Sequence, residues 1–234
     1  MTSIKKTARF AGFLYFLQIP LGVFGFVYVP TVLIIPGNMT ASITNILDHE
    51  FLFRLGMVST ILCALVTVAT AYFIFKVLEP VNKNSAKWIA VFALIAAPIT
   101  MLNELNNVAV LVLLKGNDYS SALNSAQMNT LISLFFDLHK YGLQLSGIFF
   151  GLWLLPMGYL VFKSNYIPKV IGVFLIITCL GYLIDFLLFF LAPNFGVTVS
   201  DFTWLGEVMM VLWLLIKGVN EEKYEKWNSK ITLS

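Results

Sequence analysis

Charged residues make up only 12% of this 234-residue chain, and that scarcity already narrows the fold. With 59% hydrophobic content, too little polar surface remains to cover a soluble globule of this size, so the solvent read from composition is lipid. Basic residues are scarce as well. A net charge of +3 leaves no basic groove once the flanks of the apolar stretches are counted, which excludes nucleic acid as a partner. There are two cysteines, Cys63 and Cys179, each in the middle of an apolar stretch, and they imply buried thiols rather than a disulfide framework. The chain carries no HExxH, P-loop, GxSxG or dinucleotide fingerprint, and no cofactor is expected.

What the chain has is length of apolar sequence, with a mean hydropathy of +0.86. Six stretches near the length a helix needs to cross hydrocarbon are read at about 10–35, 52–77, 88–114, 131–162, 169–192 and 203–217. Backbone groups in lipid must be bonded within the segment, and the alternation of barrel strands is absent, so these are helices. The fold expected is all-α, a polytopic bundle in one transmembrane domain, with 218–234 a short, solvated cytoplasmic tail. Pro20, Pro30 and Pro156 predict kinks in the first and fourth spans. Twelve of the 15 lysines and arginines fall on one side of this topology, which places both termini in the cytoplasm. The first span lacks a small-residue cleavage site after it and is expected to be retained.

Between the first two spans, residues 36–51 carry Ile43, Ile46, Leu47 and Phe51 at helical spacing, predicting a short helix along the interface with Thr40 as its cap. Glu50 and Arg54, four apart, predict an ion pair. The polar segment 115–129 reads as a solvated loop, with a lid as the alternative.

The intramembrane acids all fall in the non-cytoplasmic half of this topology: Glu104, Asp137, Asp185 and Glu207. Charges in lipid are costly and normally face a bundle interior or a water-filled cavity. Helical phase puts Asp137, Lys140, Tyr141, Gln144, Gly147 and Gly151 on one face of the fourth span, and His139, Gly142 and Ser146 on another. That phase argues against a metal site shared by Asp137 and His139; His139 remains a weak alternative as a ligand. Gly147 and Gly151 form a small-xxx-small pattern suited to close helix packing, within the chain or in a helix-mediated oligomer. The candidate ligand-binding set is Arg54, Glu104, Asn107, Asp137, Lys140, Gln144, Asp185 and Glu207, with no catalytic residue assigned.

The second-to-third and fourth-to-fifth hairpins share an order of base, then acid: Arg54 and Glu104 in one, Lys140 and Asp185 in the other. This suggests a parallel internal repeat. The motifs TARFAGFLYF (7–16), LIIPG (33–37), FLFRLG (51–56), EPVN (79–82), DLHKYGLQLSGIFFGL (137–152), GYLID (181–185), GE (206–207) and WLLIKGVN (213–220) together resemble a family of bacterial six-helix membrane proteins, domain of unknown function 4386. The resemblance implies a multi-pass protein of the bacterial cytoplasmic membrane and brings no reaction with it. The leading expectation is therefore a non-enzymatic protein, with the bilayer around it and a small polar or amphipathic molecule, or a lipid, bound in an outer-half cavity for retention or transport. The alternatives are an intramembrane hydrolase or lipid-modifying enzyme, and a structural or regulatory membrane partner.

Overall fold

The computed structural model describes residues 3–116 and 122–232, and no strand occurs among them. In chain order the helices are α1 (Ile4–Leu33), α2 (Met39–Asp48), α3 (Glu50–Leu78), α4 (Lys83–Lys115), α5 (Ser125–Ser164), α6 (Lys169–Leu191), α7 (Ser200–Ile216) and α8 (Glu221–Thr232). Five of them, α1, α3, α4, α5 and α6, are long and apolar enough to cross a membrane, and α7 passes the same test of length and composition only when joined to the start of α8, from which it is bent by 98°. The chain is thus a multi-pass helical membrane protein.

Several helices begin earlier than hydropathy indicates, because polar caps start them outside the apolar run. Asn82 Oδ1 accepts from the Ser85 amide at 2.9 Å and Asn124 Oδ1 from the Gln127 amide at 2.9 Å, so α4 starts at Lys83 rather than 88 and α5 at Ser125 rather than 131. Asn38, not Thr40, caps α2, accepting from the Ala41 amide at 3.0 Å. The expected short helix is there, with Ile46 fully buried, while Phe51, expected on the same face, falls in α3 and is 75% exposed. Residues 117–121 of the expected loop lie outside the described residues.

The segment 218–234 departs most from its sequence reading. Gly218 has φ +71°, a backbone conformation open to glycine, and its amide donates to the Trp213 carbonyl, ending α7 and turning the chain into α8. Tyr224 and Trp227, three apart, pack against core residues, with the Tyr224 ring 5.4 Å from that of Tyr166. What reads as a solvated tail is a docked amphipathic helix.

The chain divides into two compact units. Unit 1 comprises residues 1–18, 65–97 and 144–234. Its core is built from Ile74, Leu78, Ile89, Leu154, Met157, Leu160, Ile171, Leu175 and Leu214. Glycines set its helix crossings: a methyl group on Gly158 would meet the Gly172 carbonyl, and one on Gly206 would meet the backbone of Phe174. Unit 2 comprises residues 19–64 and 98–143. Its smaller core holds Val29, Leu33, Ile46, Phe53, Met57, Val110, Leu113 and Ile132.

Proline shapes both units. Pro30 has no N–H to donate, and the turn before it widens to a π-helix over Val23–Tyr28, in which the Val29 amide reaches back to the Phe24 carbonyl. Likewise α5 is interrupted at Trp153, three residues before Pro156. The interruption of α4 at Glu104, six residues after Pro98, has no counterpart in the sequence reading.

Candidate functional site

Unit 2 contains a cavity of about 310 Å³. The widened turn of α1 gives it Gly25 and Phe26; α3 gives Phe53, Gly56 and Met57; α4 gives Glu104 and Asn107; α5 gives Phe136, Asp137, His139, Lys140 and Leu143. Close packing of α1 on α3 sustains the widened turn. Ser59 Oγ donates to the Leu21 carbonyl at 2.9 Å, and a methyl group on Gly25 would strike Thr60 Oγ1 and the Gly56 carbonyl.

The interruption in α4 positions the polar wall. Glu104 is 3% exposed. Its carboxylate accepts from Asn107 Nδ2 at 2.8 Å, and its other oxygen lies 3.1 Å from His139 Nε2. Asn103 fastens the crossing helix, donating from Nδ2 to the His139 carbonyl at 2.8 Å, in the space left by the missing side chain of Gly142. The inward face of α5 in this unit therefore runs Ile132, Phe136, His139, Gly142, Leu143, as Ile132 at 0% exposure shows. This corrects the helical-phase reading, which pointed Asp137 and Lys140 inward and His139 away. That reading chose the face by its glycines and polar groups, whereas a membrane helix can turn polar groups toward a rim. Asp137 and Lys140 are exposed and line the cavity beside the imidazole.

Two carboxylates, one ammonium and one imidazole thus face a space whose other walls are aromatic and aliphatic. Such walls suit a molecule with an apolar body and a charged or hydrogen-bonding end. The imidazole also gives the cavity a ring nitrogen that donates or accepts according to its tautomer. Among the described residues no cluster of three or more His, Cys, Asp and Glu gathers as a metal site would require.

The remaining residues of the expected set have other partners. Arg54 Nε lies 2.7 Å from Glu50, the predicted ion pair, and Lys115 pairs with the same carboxylate. Gln144 and Asp185 belong to unit 1, where they line a second cavity of about 300 Å³. Asp185 also accepts from the Val199 and Ser200 amides at 2.5 and 2.8 Å, holding the start of α7. Glu207, in the same unit, accepts from the Tyr15 hydroxyl at 2.6 Å and the Tyr182 hydroxyl at 2.9 Å. Of the two glycines in the small-xxx-small pattern, Gly151 abuts the side chain of Tyr182, while space is open beside Gly147. Sequence reasoning kept His139 only as a weak alternative ligand and left out Phe26 and Met57; the prolines Pro20 and Pro30 that bracket the π turn were the signal available for Phe26.

Comparison with known proteins agrees with the motif resemblance. A family model described as domain of unknown function (DUF4386) matches residues 10–218. A protein of Archaeoglobus fulgidus, described as uncharacterised, is 31% identical over 163 residues, which cover 70% of this chain and 83% of that protein. No solved structure matches the chain.

Proposed function

The chain belongs to the family described as domain of unknown function (DUF4386), and from that premise we propose that it binds a small amphipathic molecule in the cavity of unit 2. The protein resides in the bacterial cytoplasmic membrane with both termini inside, a reading supported by the 12 of 15 basic residues that its loops and ends place on one side. The observation that carries the binding reading is a buried carboxylate, Glu104, hydrogen-bonded to a histidine at the wall of an otherwise apolar space. A buried acid in lipid is costly even when hydrogen-bonded, and retaining one beside a void is accounted for by a ligand that uses it. Glu104, Asn107, His139, Asp137 and Lys140 hold the polar end; Phe26, Met57 and Phe136 hold the apolar body. Transport of that molecule is the extension of this reading.

Native mass spectrometry of gently extracted protein tests it. The wild type carries a bound mass, which Met57→Trp, filling the cavity, and Glu104→Gln, which keeps an acceptor for Asn107 but removes the carboxylate, both lose. Identical spectra from all three proteins refute the reading. The His139–Glu104 contact favours one second reading, an intramembrane hydrolase in which the imidazole takes a proton from water. Hydrolysis of a fluorogenic lipid ester by the wild type but not by His139→Gln would select it.

A further inference from the structure

Independently of that cavity, unit 1 presents a groove of about 430 Å³ along its surface, lined by Ser85, Trp88 and Phe92 of α4 and Leu155, Pro156 and Tyr159 of α5. Its rim residues are strongly exposed for their size, Trp88 at 54%, Leu155 at 45% and Tyr159 at 39%. The chemistry of the groove changes along its length. At one end stand the polar or basic side chains Lys83, Asn84 and Ser85 at the start of α4 and Tyr159 and Lys163 near the end of α5. One to two turns further along both helices the lining becomes Trp88, Phe92, Leu155 and Pro156.

Lys163 stands at the polar end. Its ammonium lies 4.5 Å from the centre of the Tyr159 ring and donates to the Tyr159 hydroxyl, and among the described residues no carboxylate pairs with it. From Lys163 to Leu155 is eight residues, roughly 12 Å along a helix. That distance carries a chain from the charged headgroup level into the acyl region, and Trp, Tyr and Lys are the residues that occupy that interface. A membrane-facing groove with an unneutralised cation at the headgroup level and an aromatic, aliphatic trough below has the charge and polarity gradient of one occupant.

We infer that this groove is a binding site for an anionic phospholipid, whose headgroup charge meets Lys163 and the Tyr159 hydroxyl and whose acyl chain lies along Trp88, Phe92, Leu155 and Pro156. A zwitterionic lipid offers the same chain but no net charge for the lysine, so selectivity resides at Lys163.

The test is native mass spectrometry of the full chain in dodecyl maltoside, titrated with dioleoylphosphatidylglycerol or dioleoylphosphatidylcholine. The anionic lipid binds more tightly. K163Q lowers its affinity about fivefold, the contribution of one lysine beside an anionic surface, and leaves phosphatidylcholine unchanged. W88A weakens both lipids. K76Q, which removes another exposed lysine stacked on a tyrosine, leaves both unchanged. Equal affinity for the two lipids, an equal loss in K76Q and K163Q, or displacement by soluble glycerol 3-phosphate would each overturn the proposal.

Discussion

Two glutamates in this chain have the same hydrogen-bond count and opposite surroundings. Glu207 of unit 1 accepts from two phenols, Tyr15 and Tyr182. Glu104 of unit 2 accepts from an amide and meets an imidazole, at an interruption of its helix and on the wall of a cavity. Each phenol donates to Glu207, whereas the imidazole nitrogen facing Glu104 donates or accepts according to its tautomer. Burial and satisfied hydrogen bonds alone therefore do not mark a functional acid in a membrane protein. In the proposed reading, Glu104 is set apart by its imidazole partner and the adjacent void.

The largest effect that would sharpen this contrast lies in helix packing. In unit 1 a methyl group on Gly206 would meet the Phe174 backbone, which cannot give way, whereas in unit 2 one on Gly142 would meet the side-chain amide of Asn103. Gly206→Ala is expected to cost about 3 kcal/mol, the upper part of the range for overpacking. Gly142→Ala costs less, but it pushes Asn103 off the His139 carbonyl and weakens ligand retention. Chemical unfolding in micelles, read beside the bound mass, separates the two. A Gly142→Ala protein that keeps its ligand while losing as much stability as Gly206→Ala would erase the distinction between scaffold and site.

The second effect concerns the acids themselves. Glu207→Leu leaves the Tyr15 and Tyr182 hydroxyls without an acceptor and should cost about 2 kcal/mol. Adding Tyr15→Phe and Tyr182→Phe recovers most of that, because no polar group is then stranded. Glu104→Gln keeps an acceptor for Asn107 and costs less in stability, but lowers ligand retention. If instead Glu207→Leu empties the cavity and Glu104→Gln does not, the roles assigned to the two residues are reversed.

These residues also show what could be read before any coordinates. The apolar runs announced the spans, since lipid demands about 20 apolar residues per crossing. The caps at Asn82 and Asn124 moved the ends, because a helix can start on polar residues beyond the hydrocarbon. All four acids were legible as unusual, but their partners were not. Asp185 binds backbone amides of a segment 14 residues away, and amides carry no sequence signature. Helical phase misassigned His139, because the face was chosen by its glycines and polar groups, and a membrane helix can carry such groups on the rim of a cavity as well as on its buried wall. The interruption at Glu104 was the least accessible feature: its amide reaches the Met101 carbonyl only three residues back, a tightened turn downstream of Pro98 that the missing proline N–H does not explain.

The smallest effect concerns another polar group of unit 1 that is closed by a fixed partner. The Tyr166 hydroxyl, 2% exposed, donates to the Val77 carbonyl at 2.7 Å, and burial pushes its pKa above the ordinary tyrosine value. Because the folded state holds the proton more tightly than the unfolded chain, its contribution is fully present below about pH 10, where the unfolded phenol is still protonated. Above that pH the unfolded chain releases the proton first, and the contribution falls as pH rises. Tyr166→Phe is expected to cost about 1 kcal/mol near neutrality, the worth of one hydrogen bond. Its stability should then decline less than that of the wild type between pH 10 and 11. A wild-type loss that instead begins near pH 7 would mean that the polar groups of unit 1 are not confined to inert partners, and the contrast drawn between Glu207 and Glu104 would fail with it.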